Sequence, residues 1–99
     1  MNRLKLSAVL ACTGLLAACG SEPLDGELLA QQKGCVACHG IQGKAIAPSY
    51  PNLNGQWERY LRLQLIAYRD GKRINTVMNG MAAALTDEEI IALAKHYGS

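Results

Sequence analysis

The residues best equipped for chemistry lie together in the run CVACH, which holds Cys35, Cys38 and His39. This C-x-x-C-H spacing is the attachment signature of c-type haem. Thiols at this spacing can reach both vinyl groups of one porphyrin and form thioethers, and the adjacent imidazole then lies under the ring and binds the iron. The motif therefore predicts one covalent haem c, attached through Cys35 and Cys38, with His39 as an axial iron ligand.

Other uses of these residues fit the sequence less well. A thioredoxin-like C-x-x-C motif belongs in a βαβ setting, which the sequence does not provide. A structural zinc site needs a full tetrahedral ligand set, and once the N-terminal segment that ends at Cys19 is set aside the chain adds only the distant His96 to this motif. A disulfide between Cys35 and Cys38 would close too short a loop to stabilise a domain of this size.

An iron atom held by His39 has a second axial position, for which the chain beyond its N-terminal segment offers two methionines, one histidine and, more remotely, its lysines. Met78 is in a predicted loop before the last helix, where its side chain is free to point inward. Met81 follows shortly and could equally be core packing, the usual role of Met beside apolar residues. His96 is in the predicted last helix and is interpreted as a surface or edge residue. Residue types alone leave Met78 and Met81 open.

Periodicity predicts a first helix that follows Asp25 as N-cap and is closed by Gly34. The clearest helix runs over 56–70, with Asn54 to cap its start and Gly71 its end. Its core-facing stripe is Trp57, Leu61, Leu65 and Tyr68.

Thr86 and Glu89 form a capping box that begins a last helix. No segment alternates with the period of a strand. The fold class is therefore all-α, with three main helices and two long loops, and loops of that length in so small a domain need something to wrap around.

The N-terminus predicts export. A short basic region and an apolar run end at Leu16-Ala17-Ala18-Cys19, which resembles a bacterial lipobox. We expect a signal peptide at 1–18, lipidation of Cys19, a tether at 19–24 and a domain at 25–99. Cys12 would be discarded with the signal. The location predicted is the periplasmic side of a bacterial membrane, reached through a lipid anchor.

Charge excludes one class of partner. Without the signal the chain keeps eight Lys and Arg against eight Asp and Glu. A neutral chain lacks the basic field of a nucleic-acid binder. The arginines and lysine at 69–73 are either a solvated helix end or a site for a haem propionate or a partner.

Four blocks of the chain resemble the class I c-type cytochromes, in particular the small bacterial monohaem proteins grouped with cytochromes c4, c5 and c553. The blocks are CVACHG at 35–40, PSYPNLNGQ at 48–56, YLRLQL at 60–65 with GKR at 71–73, and MNGMAAALTDEEI at 78–90. The resemblance implies the cytochrome c fold wrapped around the haem. It also implies that Met78 is the second axial ligand and that the Pro51 carbonyl accepts a bond from His39. Leu53 and Trp57 would line the haem edge.

The function expected from this resemblance is electron transfer without catalysis. The chain would be a monomeric carrier that cycles Fe(III)/Fe(II) between redox protein donors and acceptors. One alternative is a haem c subunit of a larger respiratory dehydrogenase or oxidase. Another is a gas sensor or peroxidase whose sixth ligand is displaceable. The family's first-helix aromatic has no equivalent here, because Leu28 and Leu29 occupy that region.

Overall fold

The structure is a computed structural model that describes residues 22–99. The predicted signal peptide and Cys19 lie outside the described residues. The part described contains five helices and no strand: α1 (Gly26–Gln32), α2 (Val36–His39), α3 (Glu58–Arg69), α4 (Thr76–Ala82) and α5 (Asp87–Tyr97). The prediction of an all-α fold is confirmed. Within residues 22–99 no helix combines the length and the apolar character needed to cross a membrane.

The caps of α1 and α5 are those the sequence predicts. Asp25 Oδ1 accepts a hydrogen bond from the Leu28 N–H at 3.1 Å, which satisfies a free amide at the start of α1. At the start of α5, Thr86 Oγ1 accepts from the Glu89 N–H at 3.1 Å, and Glu89 Oε1 accepts from the Thr86 N–H at 3.0 Å. Gly34 and Gly71 follow the ends of α1 and α3 with positive φ, as expected.

The start of α3 differs from the prediction. The helix begins at Glu58, and Asn54 does not cap it; Trp57 is the N-cap residue, in an extended conformation. The segment before α3 is held instead by the C-terminus, where the Ser99 N–H donates to the Gln56 carbonyl at 2.9 Å. Trp57 is consequently outside the helical register and 75% exposed. Its predicted place in the core-facing stripe is wrong, whereas Leu61 is buried and Leu65 and Tyr68 are half-buried.

The two loops contain the short helices α2 and α4, which the sequence analysis did not predict. Helix α4 carries Met78, so this residue is helical and not in a loop. Asn75 Oδ1 caps the helix by accepting from the Met78 N–H at 3.0 Å. Asn79 fastens α4 to the preceding segment, because its Nδ2 donates to the carbonyls of Tyr68 at 2.9 Å and Arg73 at 2.8 Å.

The hydrophobic core forms where α1 and α3 pack against α5. Ile90 and Leu93 on α5 are its largest fully buried side chains. Helix α1 contributes Leu29 and Ala30, while Leu28 points outward and is 49% exposed. Leu29 and Ala30 therefore take the place of the aromatic residue that the family resemblance implies in the first helix. This arrangement leaves apolar side chains of α3 and α5 facing α2 and α4. These side chains, called the apolar wall below, are those of Leu61, Leu65, Leu93 and Ala94.

Candidate functional site

A cavity of about 280 Å³ lies between the apolar wall and the two short helices. Leu61 and Leu65 from α3 and Leu93 and Ala94 from α5 line its inner side. Cys35 and His39 lie on one side and Met78 from α4 also lines it. The structure thus brings residues of the C-x-x-C-H motif and one candidate axial methionine to a single apolar cavity.

His39 is oriented by a backbone carbonyl. The residue is 8% exposed, and its Nδ1 lies 2.9 Å from the Pro51 carbonyl oxygen. A carbonyl only accepts, so Nδ1 carries the proton and Nε2 keeps its lone pair. The structure places Pro51 where the sequence analysis expected it. An imidazole held in this tautomer presents Nε2 as a metal ligand.

The loop that carries Pro51 is fixed by Gly43. The Gly43 carbonyl accepts from the Leu53 N–H at 2.7 Å and from the Asn54 N–H at 3.1 Å. Gly43 has φ of +80°, and a Cβ there would lie 2.6 Å from the Asn54 nitrogen. Only glycine allows both the left-handed conformation and this close approach. The loop is therefore closed tightly enough to hold the Pro51 carbonyl against His39.

The two cysteines are one helical turn apart and neither is in a disulfide. Cys35 is the N-cap residue of α2 and lines the cavity. Burial raises the pKa of the Cys35 thiol, opposed by a backbone hydrogen bond and by the charge of Lys33. Cys38 is half-buried and does not line the cavity.

The structure separates the three candidates for the second axial position. Met78 is half-buried and lines the cavity together with His39. Met81 does not line the cavity and is 40% exposed. His96 is bonded through Nε2 to the Ile41 carbonyl and also lies outside the cavity. Geometry therefore favours Met78.

The two residues expected at the haem edge have different positions. Leu53 is half-buried and lines the cavity. Trp57 does not line it, and its side chain contributes to a shallow surface depression with Arg59 and Arg62. The expected position of Trp57 beside the cofactor is corrected for the same reason as its place in the core: the chain is extended at this residue, before α3 begins.

Sequence reasoning missed part of the polar lining of the cavity, namely Gln56, Tyr60 and Gln64. Tyr68, predicted in the core-facing stripe, and Arg73, from the basic cluster, also line it. A helical-wheel argument could have found Tyr60 and Gln64, because they share one face of α3 with Leu61, Leu65 and Tyr68. The search for an apolar stripe excluded them by residue type.

Tyr97 is a further lining residue, to which the sequence analysis gave no role in the site. It is 5% exposed, and its hydroxyl donates to the Gly40 carbonyl at 2.8 Å. Burial, with a smaller contribution from Cys35, raises the pKa of Tyr97 to about 12. The phenol is therefore neutral over the physiological range and anchors α5 to the end of α2.

Comparisons with known proteins show which proteins the chain is similar to in sequence. The family model described as "Cytochrome c" matches residues 24–97. The chain is 48% identical over 68 residues to cytochrome c-554(548) of Halomonas halodenitrificans, covering 66% of this chain and 82% of that protein. It is 39% identical over 101 residues to cytochrome c4 of Pseudomonas aeruginosa, covering 100% of this chain and 49% of that one.

The chain is also similar in structure to a solved protein. Cytochrome c4 of Acidithiobacillus ferrooxidans superposes with a TM-score of 0.65 at 27% identity, covering 82% of this chain and 52% of that one. The chain thus spans most of the cytochrome c-554(548) and about half the length of the cytochromes c4.

Proposed function

Because the chain belongs to the cytochrome c family, whose members carry covalent haem c and transfer electrons, we propose that it is a monohaem electron carrier with His39 and Met78 as its axial iron ligands. The family membership confirms the predicted cytochrome c fold, the haem c cofactor and the prediction of an electron-transfer protein and not an enzyme. The observation that carries the ligand assignment is that His39, oriented by Pro51, lines the same cavity as Met78 and Cys35.

The donor set of the cavity fits a haem of type c. Cys35 and Cys38 carry free thiols on one short helix, as thioether attachment requires. His39 keeps Nε2 available, because Nδ1 is bonded to Pro51. Met78 adds a thioether sulfur, and aliphatic side chains from α3 and α5 supply an apolar face for a porphyrin. No acidic side chain lines the cavity among the residues described.

When bound, the haem supplies a reversible one-electron couple between Fe(III) and Fe(II). The residues of the chain would orient the ligands of the iron and influence its reduction potential. The Pro51 carbonyl fixes the imidazole's tautomer and orientation. With haem bound, the neutral, soft sulfur of Met78 would favour the ferrous state and raise the reduction potential relative to harder ligands. If His39 and Met78 both bind the iron, small molecules such as oxygen would find no open site on the metal.

The visible spectra of the ferric, ferrous and carbon monoxide-exposed protein test the closed site. We expect reversible reduction and reoxidation, with no change in the ferrous spectrum when carbon monoxide is added without denaturant. Ready binding of carbon monoxide would contradict a closed site and make gas sensing or peroxide chemistry the better hypothesis. Co-purification with a larger dehydrogenase or oxidase would identify the chain as a subunit of that complex and not a free carrier.

We further propose that the chain is exported to the periplasmic side and anchored there through lipidated Cys19, acting as a monomer on redox protein partners. The support is the Leu-Ala-Ala-Cys pattern at the end of an apolar N-terminal run. Each buried acyl methylene adds about 0.8 kcal/mol, so anchoring by two or more chains is stable.

Labelling of cells with radioactive palmitate tests the anchor. Cys19→Ser should abolish incorporation, and Cys12→Ser, the matched control within the predicted signal, should retain it. Equal labelling of both variants would contradict lipidation at Cys19.

A further inference from the structure

Trp57 is the most exposed aromatic residue among residues 22–99, at 75% exposure. It is also the only tryptophan of the chain. The bond between Ser99 and Gln56 holds the backbone here in an extended conformation outside α3. The indole therefore contributes neither to the core nor to the cavity lining. A tryptophan kept at the surface in this way buries its apolar ring only when another surface covers it.

Two arginines of α3 lie beside Trp57, and the three residues are called the Trp57 surface below. Arg59 and Arg62 line the same shallow depression as Trp57. Neither forms an ion pair within residues 22–99, in contrast to Arg69 at the other end of α3. Glu58 also lines the depression, so two cations face one carboxylate there. An exposed indole beside unpaired guanidinium groups favours an amphipathic partner that carries negative charge.

The predicted tether meets the domain at the same end of α5 as the Trp57 surface. On one side of α5, Gly26 at the start of α1 is packed so closely that a Cβ there would lie 2.7 Å from His96 Cβ. On the other side, the Glu58 N–H donates to the Ser99 carbonyl at 3.3 Å. Both contacts involve the last turn of α5 or the two residues that follow it. The chain that leads back to the predicted lipid anchor therefore begins beside the end of α5 at which the indole is exposed.

The length of the tether limits how far the domain can stand from a bilayer. Six residues separate Cys19 from Asp25, and an extended chain spans at most about 3.3–3.6 Å per residue, so the reach is about 20 Å. A lipid on Cys19 would keep this end of α5 close to the headgroups. A tether this short also gives the Trp57 surface a high effective concentration at the bilayer, so contacts too weak to bind alone would suffice.

Resting on the proposed lipid anchor, we propose that the Trp57 surface docks on the headgroup region of an anionic phospholipid bilayer. Tryptophan is enriched at membrane–water interfaces, because its ring is apolar while its N–H remains hydrated. The guanidinium groups of Arg59 and Arg62 match lipid phosphates with paired hydrogen bonds. None of the three side chains lines the cavity, so the membrane contact is separate from the site proposed for electron transfer.

Quenching of Trp57 fluorescence by brominated lipid tests the docking. The haem-loaded lipoprotein, purified in detergent, is reconstituted in vesicles of phosphatidylglycerol and phosphatidylethanolamine with plain or brominated acyl chains. Trp57 is the only tryptophan, so its emission reports this surface, and the ratio between the two kinds of vesicle cancels the constant quenching by the haem. We expect a loss of emission in the brominated vesicles. Trp57→Phe supplies the background without tryptophan.

Two substitutions test the arginines against a matched control. Arg59→Gln and Arg62→Gln should each reduce the quenching at low salt, since each removes a positive charge that faces the anionic surface. Lys72→Gln removes one positive charge beyond the other end of α3 and should keep the quenching of the parent. Equal quenching in all three variants would contradict the proposed surface.

Flotation of the vesicles on a density gradient separates this proposal from the proposed anchor. Haem absorbance in the floated fraction reports the anchor, and quenching in that fraction reports the docking. Flotation without quenching would overturn this proposal, leave the anchor in place and favour an acidic protein as the partner of the Trp57 surface. Recovery of the haem away from the vesicles would refute the anchor, and this proposal with it. The assignment of His39 and Met78 to the iron is tested independently by the absorption spectra.

Discussion

Gly26 lies where α1 packs on α5, and we expect Gly26→Ala to lower the free energy of unfolding by about 1–2 kcal/mol. A Cβ at this position would lie 2.7 Å from His96 Cβ and 3.0 Å from the Ala92 carbonyl carbon, with the Ala92 oxygen nearer still. Two of these three atoms are backbone of α5. The clash therefore cannot be relieved by a side-chain rotation and requires α1 to move away from α5.

The magnitude follows from two opposing effects. Overpacking of a tight contact costs about 1–3 kcal/mol. Alanine is a better helix former than glycine by at most about 1 kcal/mol, and less at the first residue of a helix. The net loss corresponds to a fall in melting temperature of about 4–8 °C for each kcal/mol in a domain of this size.

Guanidinium unfolding of the haem-loaded protein, followed by far-ultraviolet circular dichroism, measures the effect. Gly80→Ala in α4 is the matched control, because a Cβ there meets no atom within 4 Å. Gly80 is also about 200° around the helix from Met78, away from the cavity. We expect the control to be at least as stable as the parent. A Gly26→Ala protein with the parent's midpoint would refute the argument that the contact between α1 and α5 requires glycine.

Three further predictions concern the caps and the polar anchors. Thr86→Ala removes the capping box of α5 and should lower the unfolding free energy by about 1 kcal/mol in the same assay; an unchanged value would show that the cap contributes little. Arg69→Gln should lower the unfolding free energy only slightly, since its partner Asp87 is exposed and water screens the pair; a double-mutant cycle with Asp87→Asn at low and high salt would detect a larger coupling. The folded protein holds Tyr97 neutral up to pH of about 12, while the unfolded phenol ionises near its ordinary pKa of about 10. Stability should therefore decline as pH rises between these values, and this decline should be smaller in Tyr97→Phe.

Features that depend on neighbouring residues were predictable from the sequence. The C-x-x-C-H motif, the Asp25 cap and the capping box at Thr86 each involve residues within one helical turn, so local spacing is enough to identify them. The His39–Pro51 pair was expected only through the family resemblance, because the bond spans twelve residues of irregular loop.

Features that depend on tertiary contacts were not predictable in this way. Helix α4 was interpreted as loop, yet Asn75 caps the helix and Asn79 fastens it to α3. Trp57 satisfied the helical spacing, but the bond between Ser99 and Gln56 holds the chain extended before α3 begins. Arg69 bonds to Asp87 whereas Arg73 lines the cavity, and this difference likewise follows from the fold and not from residue type.

The most direct test of the account is the ferric visible spectrum of the haem-loaded protein and of two methionine variants. Methionine sulfur on ferric iron gives a weak far-red band. We expect this band in the parent and in Met81→Ala, the matched control outside the cavity lining, and its loss in Met78→Ala. Loss of the band in Met81→Ala, or its persistence in Met78→Ala, would contradict the assignment of Met78 as the second axial ligand.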